Sequence, residues 1–416
     1  MNAIQIRSAP LRRLWLAVLC GYLALGATLQ ELPTYMAGRF GTGPALVGLG
    51  VGAAFAATAV TRPFAGRAGD SGLARPVVMA GGVITSVGAI GHLLAPNLAL
   101  LIAVRLIMGA GEAALFSGAL PWVLSATSSA RRGRVAGWFG LSMWGGLAIG
   151  PVLAVAAHQL GGSTAVWSLV IALPLASTVL IASTRRVPRQ YGAPQVRVRS
   201  WRDIVPAGAG LPGLYLGLAA YGYGTLTALL VLYLTDDRIG GQSMGLTVFA
   251  IAFLLTRAAG SPLIDRYGGL TVARLVVLAE IVGLVLLAQT HTAAGALFDV
   301  SITGIGLGLV YPSAVAITLT RAHALRSGAA VGAMTSCWDL GILAAGLLGG
   351  VIAVHFHYPA AFLAASVAGA GALALTFAIR GSARNTTDAG SQTLAAFTPP
   401  SVSLCAQPDS HHLVAL

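Results

Sequence analysis

The stretch RLIMGAGEAALFSG, residues 105–118, carries Arg105 and Glu112 in an otherwise uncharged run. Seven residues at about 100° each bring both side chains to one helix face, about two turns apart. Four further acids stand in apolar surroundings: Glu31, Glu280, Asp299 and Asp339. At a membrane centre each such charge costs about 2.5–3.5 kcal/mol on insertion scales, so it marks an ion pair, an ion path or a proton relay. A carboxyl that holds a proton in one conformation and gives it up in another is what proton coupling requires. Glu112 is the first candidate, with Arg105 placed to favour release by pairing with the ionised form. The alternative is a permanent ion pair that only holds the bundle. Asp339, beside Trp338, is the second candidate; a helix cap or a bond to Ser336 would explain it equally well. Glu31, just before Pro33, either lines a cavity or is solvated at the interface. Glu280, six residues after Arg274, is expected on the lipid side and is given no function.

The elements that must hold these groups are membrane helices. The chain is 56% hydrophobic and only 9% charged, where a soluble domain is about a quarter charged. Uncharged runs such as 135–184, 204–235 and 341–378 contain no Asp, Glu, Arg or Lys. A span takes about 20 apolar residues. Twelve are expected: 14–37, 44–66, 76–95, 98–125, 135–158, 163–184, 207–234, 243–264, 271–290, 293–319, 328–353 and 358–380. Leu, Ala, Val and Gly without strand alternation argue for helices rather than a barrel.

All 25 basic residues are arginine. Arg7, Arg12, Arg13, Arg67, Arg75, Arg131, Arg132 and Arg134 fall on one side, with the basic 185–202 segment and Arg266, Arg321, Arg326, Arg380 and Arg384. Little beyond Arg39 and Arg238 falls on the other. That asymmetry places both termini in the cytoplasm. The net charge of +13 thus reports orientation in a bilayer, and no nucleic-acid partner is expected. Cys20, Cys337 and Cys405 have no ligand spacing, and His411 and His412 lie in a polar tail, so no metal or cofactor is expected. Without lysine there is no phosphate-cradling loop of the usual kind, and ATP is not the direct energy source.

A shift of 195 residues superposes the chain on itself. Thr61, Arg62 and Asp70 fall on Thr256, Arg257 and Asp265. Gly109, Gly111, Arg131 and Gly146 fall on Gly304, Gly306, Arg326 and Gly341. A constant offset gives two six-span halves in the same orientation, the mark of a transporter built from repeats. The expected division is 1–184 for the first bundle, 185–206 for a cytoplasmic linker, 207–382 for the second bundle, and 383–416 for a disordered cytoplasmic tail.

These residues resemble the major facilitator superfamily, and within it the drug- and sugar-efflux proton antiporters. The connection after the second span, GRAGDSGLAR, keeps Gly66, Asp70 and Arg75 of the family pattern, with Ser71 where an arginine is usual. In the fourth span RLIMGAGEAA matches at Arg105, Gly109, Gly111, Ala113 and Ala114, with Met108 for a glutamine and Glu112 for an alanine. In the fifth, GLAIGPVLAV supplies Gly146, Gly150 and Pro151 of the antiporter motif, with Ala154 and Val155 where glycines are usual.

The resemblance implies an all-α integral membrane fold of twelve helices in two pseudo-symmetric bundles. Spans 1, 4, 7 and 10 would line a cavity, and spans 2, 5, 8 and 11 would form the interface between halves. Tyr22, Trp144, Tyr221, Tyr223 and Trp338, with Met108, are the expected cavity residues. Asp70, with Arg75 and Arg131 nearby, would sit against a helix end of the opposite half and hold the cytoplasmic side closed, Asp265 and Arg257 being the repeat counterparts. Arg62 would either serve that lock or position Asp70 alone. Asp299 stands beside the repeat counterpart of Arg105 and would pair with it as an outer gate.

The function expected is export of a small amphipathic molecule, a drug-like compound or a sugar, in exchange for protons by alternating access. The alternative is a proton symporter importing a sugar or organic acid. A membrane-embedded enzyme would need a polar or metal-binding loop, which the sequence lacks. A monomer in the inner (plasma) membrane, with lipid, protons and one small molecule as partners, completes the expectation.

Overall fold

The computed structural model describes residues 10–127, 132–184, 209–321 and 327–395, and among them there is no strand. The first half holds α1 (Leu11–Phe40), α2 (Pro44–Ala68), α3 (Ala74–Leu94), α4 (Leu98–Ser125) and α5 (Arg132–Ala182). The second holds α6 (Gly210–Asp236), α7 (Gly245–Tyr267), α8 (Gly269–Leu287), α9 (Ala293–Gly308), α10 (Val310–Arg321), α11 (Ser327–Ala344) and α12 (Gly350–Ala395). Nine stretches among the described residues are long and apolar enough to cross a membrane. Two of them, within α5 and across α11–α12, each break once, at Gly161–Gly162 and at His357. With the shorter apolar Gly245–Gly260 they make up the twelve expected crossings.

Exposed Val60, Phe64, Leu94, Phe298, Val367 and Phe377 are too many large apolar groups for a water-facing surface. In a bilayer they face lipid. The hydroxyls inside the helices are satisfied locally, as lipid demands. Thr28 donates to Ala24 O, Thr85 to Gly81 O and Thr318 to Ala314 O, each at 2.8 Å.

Local sequence explains the breaks. A π turn, Gly69–Leu73, joins α2 to α3, and Gly72 there takes φ 81°, a left-handed conformation that suits glycine. The tenth span divides at Leu309 between α9 and α10; Pro312 follows, and proline cannot bond back into the preceding turn. The break sets the register of Tyr311. A second π turn, Ala345–Gly349, joins α11 to α12.

Glycines at repeat positions meet repeat-equivalent partners. Gly109 of α4 lies against the Ala54 carbonyl of α2, and Gly304 of α9 against the Phe249 carbonyl of α7. Gly146 of α5 lies against Tyr22 of α1, and Gly341 of α11 against Gly217 of α6. In every case a Cβ would strike the neighbouring helix, so small residues permit the close crossing. The antiporter-motif glycines thus bring α5 against α1, Gly150 reaching Leu23, Gly26 and Ala27.

The halves also meet each other closely at the end carrying the α1–α2 turn, the face expected to be external. Gly48 of α2 abuts Gly346 of the second π turn, and Gly350 abuts Pro44 and Ala45. Gln30 Nε2 donates to Gln242 O at 3.3 Å.

Among the described residues, those up to Thr376 form one compact unit, and those from Phe377 to Ala395 belong to a second. The expected linker 185–206 lies outside the described residues. Helix α12 runs to Ala395, past the expected end of the last span, and residues 396–416 of the expected tail lie outside the described residues.

Candidate functional site

Helices α1, α2, α4, α5, α6, α10 and α11 line a cavity of about 550 Å³, counting the solvent space it opens to. Its walls are aromatic: Tyr22, Phe55, Phe116, Trp144, Tyr223, Tyr311 and Trp338. Three charged groups reach it, Arg62 from α2, Glu112 from α4 and Asp339 from α11. A second, apolar space of about 370 Å³ lies alongside, lined by Leu29, Pro151, Thr227, Phe249 and Phe253 and sharing Trp144 and Tyr223.

Arg62 and Asp339 form an ion pair across the two halves. Arg62 Nε donates to Asp339 Oδ2 at 2.6 Å and Nη2 to Oδ1 at 3.3 Å. The Asp339 side chain is fully buried and that of Arg62 is 13% exposed. Two parallel bonds fix the planar guanidinium on the carboxylate, and removing one partner of such a buried pair costs about 3–5 kcal/mol. Arg62 is therefore more than a support for Asp70, and it is a direct partner of Asp339. The sequence carried part of the signal: Arg62 and Asp339 are charges inside two of the four apolar runs expected to form the interface between the halves, as Arg257 is inside a third.

Glu112 is buried, 2% exposed, and its Oε1 accepts no hydrogen bond among the described residues. It projects from the same helix as Arg105 but is not bonded to it. Arg105 is fully buried and donates instead to Gly50 O of α2 at 3.0 Å and to Met108 Sδ at 3.6 Å. The glycines of α2 leave that carbonyl uncovered, so the guanidinium ties α4 to α2.

The expected Arg105–Asp299 gate is not formed in this conformation. Among the described residues Asp299 makes no ion pair with Arg105, and the Arg105 bonds to Gly50 and Met108 stay within the first half. Glu31 neither lines the cavity nor is solvated. It is 4% exposed, accepts from Ser163 Oγ at 2.5 Å, and lies 3.0 Å from His158 Nδ1.

Of the expected cavity residues, Tyr22, Trp144, Tyr223 and Trp338 line it. Met108 does not: it is fully buried beneath Arg105 and packs on Gly88 of α3. Tyr221 is two residues from Tyr223, about 200° around the helix, and points away from the lining. Sequence reasoning missed Phe55, Phe116, Tyr311 and Thr335, which no local motif distinguishes from core. It also misplaced Glu280. That residue is fully buried in the second half, against Gly222 of α6 and Gly306 of α9, and neither carboxyl oxygen has a hydrogen-bond partner among the described residues. The small residues facing it make a slot that an apolar-run reading assigns to lipid.

The gating residues separate into those that bridge the halves and those that do not. Arg75 donates to Ala182 O at 2.8 Å and Thr184 Oγ1 at 3.4 Å, tying α3 to the end of α5 in its own half. Asp265 is exposed at the end of α7. The Asp70 side chain and Arg131 lie outside the described residues. Arg257 does cross: its guanidinium carbon stands 4.9 Å from the ring centre of Trp144 on α5 and 5.5 Å from that of Tyr311 on α10. A desolvated cation–π contact of this kind contributes about 2 kcal/mol. Trp144 also stacks obliquely on Phe253 at 4.6 Å and edge-on to Trp338 at 5.6 Å.

Comparison with known proteins places these features in a family. The profile described as Major Facilitator Superfamily matches residues 14–346 and 218–408. An uncharacterized MFS-type transporter of Salmonella typhimurium is 32% identical over 372 residues, covering 86% of this chain and 93% of its own. Among solved structures, a bacterial homolog of the human lysosomal transporter Spinster, inward-facing and unoccupied, aligns with TM-score 0.72 at 15% identity over 91% of this chain and 98% of its own. The nucleoside transporter NupG aligns with TM-score 0.69 at 14% identity over 89% and 98%.

Proposed function

Because the chain belongs to the Major Facilitator Superfamily of membrane transporters, we propose that it exports a small amphipathic molecule in exchange for protons. It is a multi-pass membrane protein, a transporter rather than an enzyme. The arginine distribution supports termini on the cytoplasmic side of the inner membrane.

One observation carries the reading. Two carboxyls from opposite halves, Glu112 and Asp339, line one aromatic cavity, and a single arginine, Arg62, holds one of them across the interface. A proton on Asp339 removes the negative charge that Arg62 grips, which weakens the link between halves. Glu112, in the same cavity, takes the proton in one orientation and surrenders it in the other. The aromatic walls receive an apolar or amphipathic body. Gly146, Gly150 and Pro151 support export over import through their resemblance to the antiporter motif. Arg62, Asp70, Arg75, Arg131, Arg257 and Asp265 serve the opening and closing of the two sides, with Arg105 anchoring α4.

The test uses inside-out vesicles containing the protein, acidified inside, with a pH-sensitive dye and a panel of drug-like compounds and sugars. Wild type is expected to dissipate the gradient with at least one compound, and Glu112→Gln to fail with that compound. Equal dissipation by the variant makes Glu112 structural and passes its role to Asp339. No response with any compound in this orientation, but uptake in the opposite one, overturns export.

A further inference from the structure

Two arginines from different helices meet one helix end. Arg13, at the start of α1, donates through Nη1 to Ser183 O at 2.8 Å, just past the end of α5. Arg75, at the start of α3, donates through Nη2 to Ala182 O at 2.8 Å and through Nε to Thr184 Oγ1 at 3.4 Å. Arg12 precedes Arg13, is exposed, and bonds to nothing among the described residues. A helix C-terminus carries about half a negative charge, so three guanidiniums leave a clear excess of positive charge. No acid pairs with Arg12, Arg13 or Arg75 among the described residues.

An aromatic, apolar face adjoins the charges. Arg12, Trp15, Leu16 and Leu19 recur at three and four residues, which sets them on one face of α1. Trp15 donates through Nε1 to Trp138 O of α5 at 3.1 Å, and the two rings stand 5.4 Å apart. Leu16 and Trp138 are both exposed. In a membrane-spanning bundle such a face meets lipid, and indoles mark the depth of the headgroups. Guanidiniums match a phosphate in charge and shape, and the indoles and leucines below them match an acyl chain.

The second half has no equivalent. Under the 195-residue shift Arg12, Arg13, Trp15, Arg75 and Trp138 fall on Ala207, Gly208, Gly210, Leu270 and Ala333. The cluster therefore goes beyond the general excess of arginine at this end of the bundle.

We infer that the start of α1, with the end of α5 and the start of α3, is a binding site for an anionic phospholipid. The phosphate sits on Arg12 and Arg13, and Arg75 adds charge beside the helix end. One chain of the lipid lies along Trp15, Leu16 and Trp138. The bound lipid holds α1 against the end of α5, reinforcing the Arg13–Ser183 bond. This site is on the lipid-facing surface and is independent of what the central cavity carries.

Arg12 has no partner among the described residues, so Arg12→Gln removes a charge without stranding another group. Trp122, Trp144, Trp167 and Trp338 are buried, so a Trp201→Phe background leaves Trp15 and Trp138 as the indoles open to lipid. Full-length protein in phosphatidylcholine nanodiscs receives rising fractions of phosphatidylglycerol with brominated chains. Brominated phosphatidylcholine is the reference, and quenching of tryptophan fluorescence gives the relative affinity. Arg12 and Arg13 together predict a preference for phosphatidylglycerol of about thirtyfold at low salt, and Arg12→Gln should cut it about fivefold. Added salt should weaken the preference. Arg266→Gln, which removes an exposed arginine from the second half, should leave it unchanged.

Equal quenching by the two lipids overturns the site, and so does a loss with Arg12→Gln no larger than with Arg266→Gln. Inorganic phosphate that abolishes the preference at millimolar concentration overturns the lipid as occupant and makes the cluster a site for free anions. Should the Trp201→Phe background fail to fold, melting temperatures decide the matter. Phosphatidylglycerol is then expected to raise that of wild type more than that of Arg12→Gln, and an equal rise overturns the site.

Discussion

The two halves of this transporter share a backbone plan and differ in their charges. Gly109 and Gly304 perform the same crossing in each half, and so do Gly146 and Gly341. At the same symmetric level, Arg62 faces a carboxylate where Arg257 faces an indole. Elsewhere Thr85, bonded to Gly81 O, occupies the place that Glu280 takes in the second half. Packing positions tolerate little divergence, since any Cβ at these glycines meets the next helix. Polar positions inside the bundle are free to diverge, and the divergence makes the two halves unequal partners in gating.

Removing a partner from the Arg62–Asp339 ion pair is the largest expected break in that comparison. Arg62→Ala should lower stability by about 3–5 kcal/mol because it strands a buried carboxylate. Asp339→Leu added to it should recover most of the loss, which thermal unfolding in detergent would report. If the double variant is no more stable than Arg62→Ala alone, the pair is not the source of the effect.

Glu280 sharpens the comparison with the opposite sign. Its two unpartnered oxygens cost about 1–3 kcal/mol in desolvation, and methionine fills a similar volume without them. Glu280→Met should therefore raise the melting temperature and leave transport unchanged. Lost transport in a stable variant would give Glu280 a working role that Thr85 lacks.

The smallest effect is expected where Arg257 meets the Trp144 ring. Trp144→Leu should cost about 1–2 kcal/mol, and Trp144→Phe, which keeps an aromatic face for the guanidinium, should cost less in thermal unfolding. Equal loss in the two variants would remove the cation–π contact as the cause.

Much of the fold was legible in the sequence. Helix α4 has the expected bounds, Leu98–Ser125, and α2 begins at the expected Pro44, because apolar runs of membrane length end where turn residues and charges begin. The repeat was legible too, since a constant offset survives in the glycines that the crossings need. The site was legible in kind but not in pairing. Glu112, Asp339, Tyr22, Trp144, Tyr223 and Trp338 were singled out and meet in one cavity. The partners of Arg105, Arg62 and Glu31 were not foreseen.

The sequence by itself determined that this chain crosses a membrane twelve times in two related halves, because hydropathy, length and arginine placement are properties of local runs. Only the tertiary structure decided which charge meets which. A buried arginine takes whichever oxygen its side chain can reach within a few ångströms, and that depends on how far each helix slides and turns against its neighbours. Arg105 found a bare glycine carbonyl on α2 instead of Asp299 or Glu112, and Arg62 found Asp339, 277 positions away along the chain.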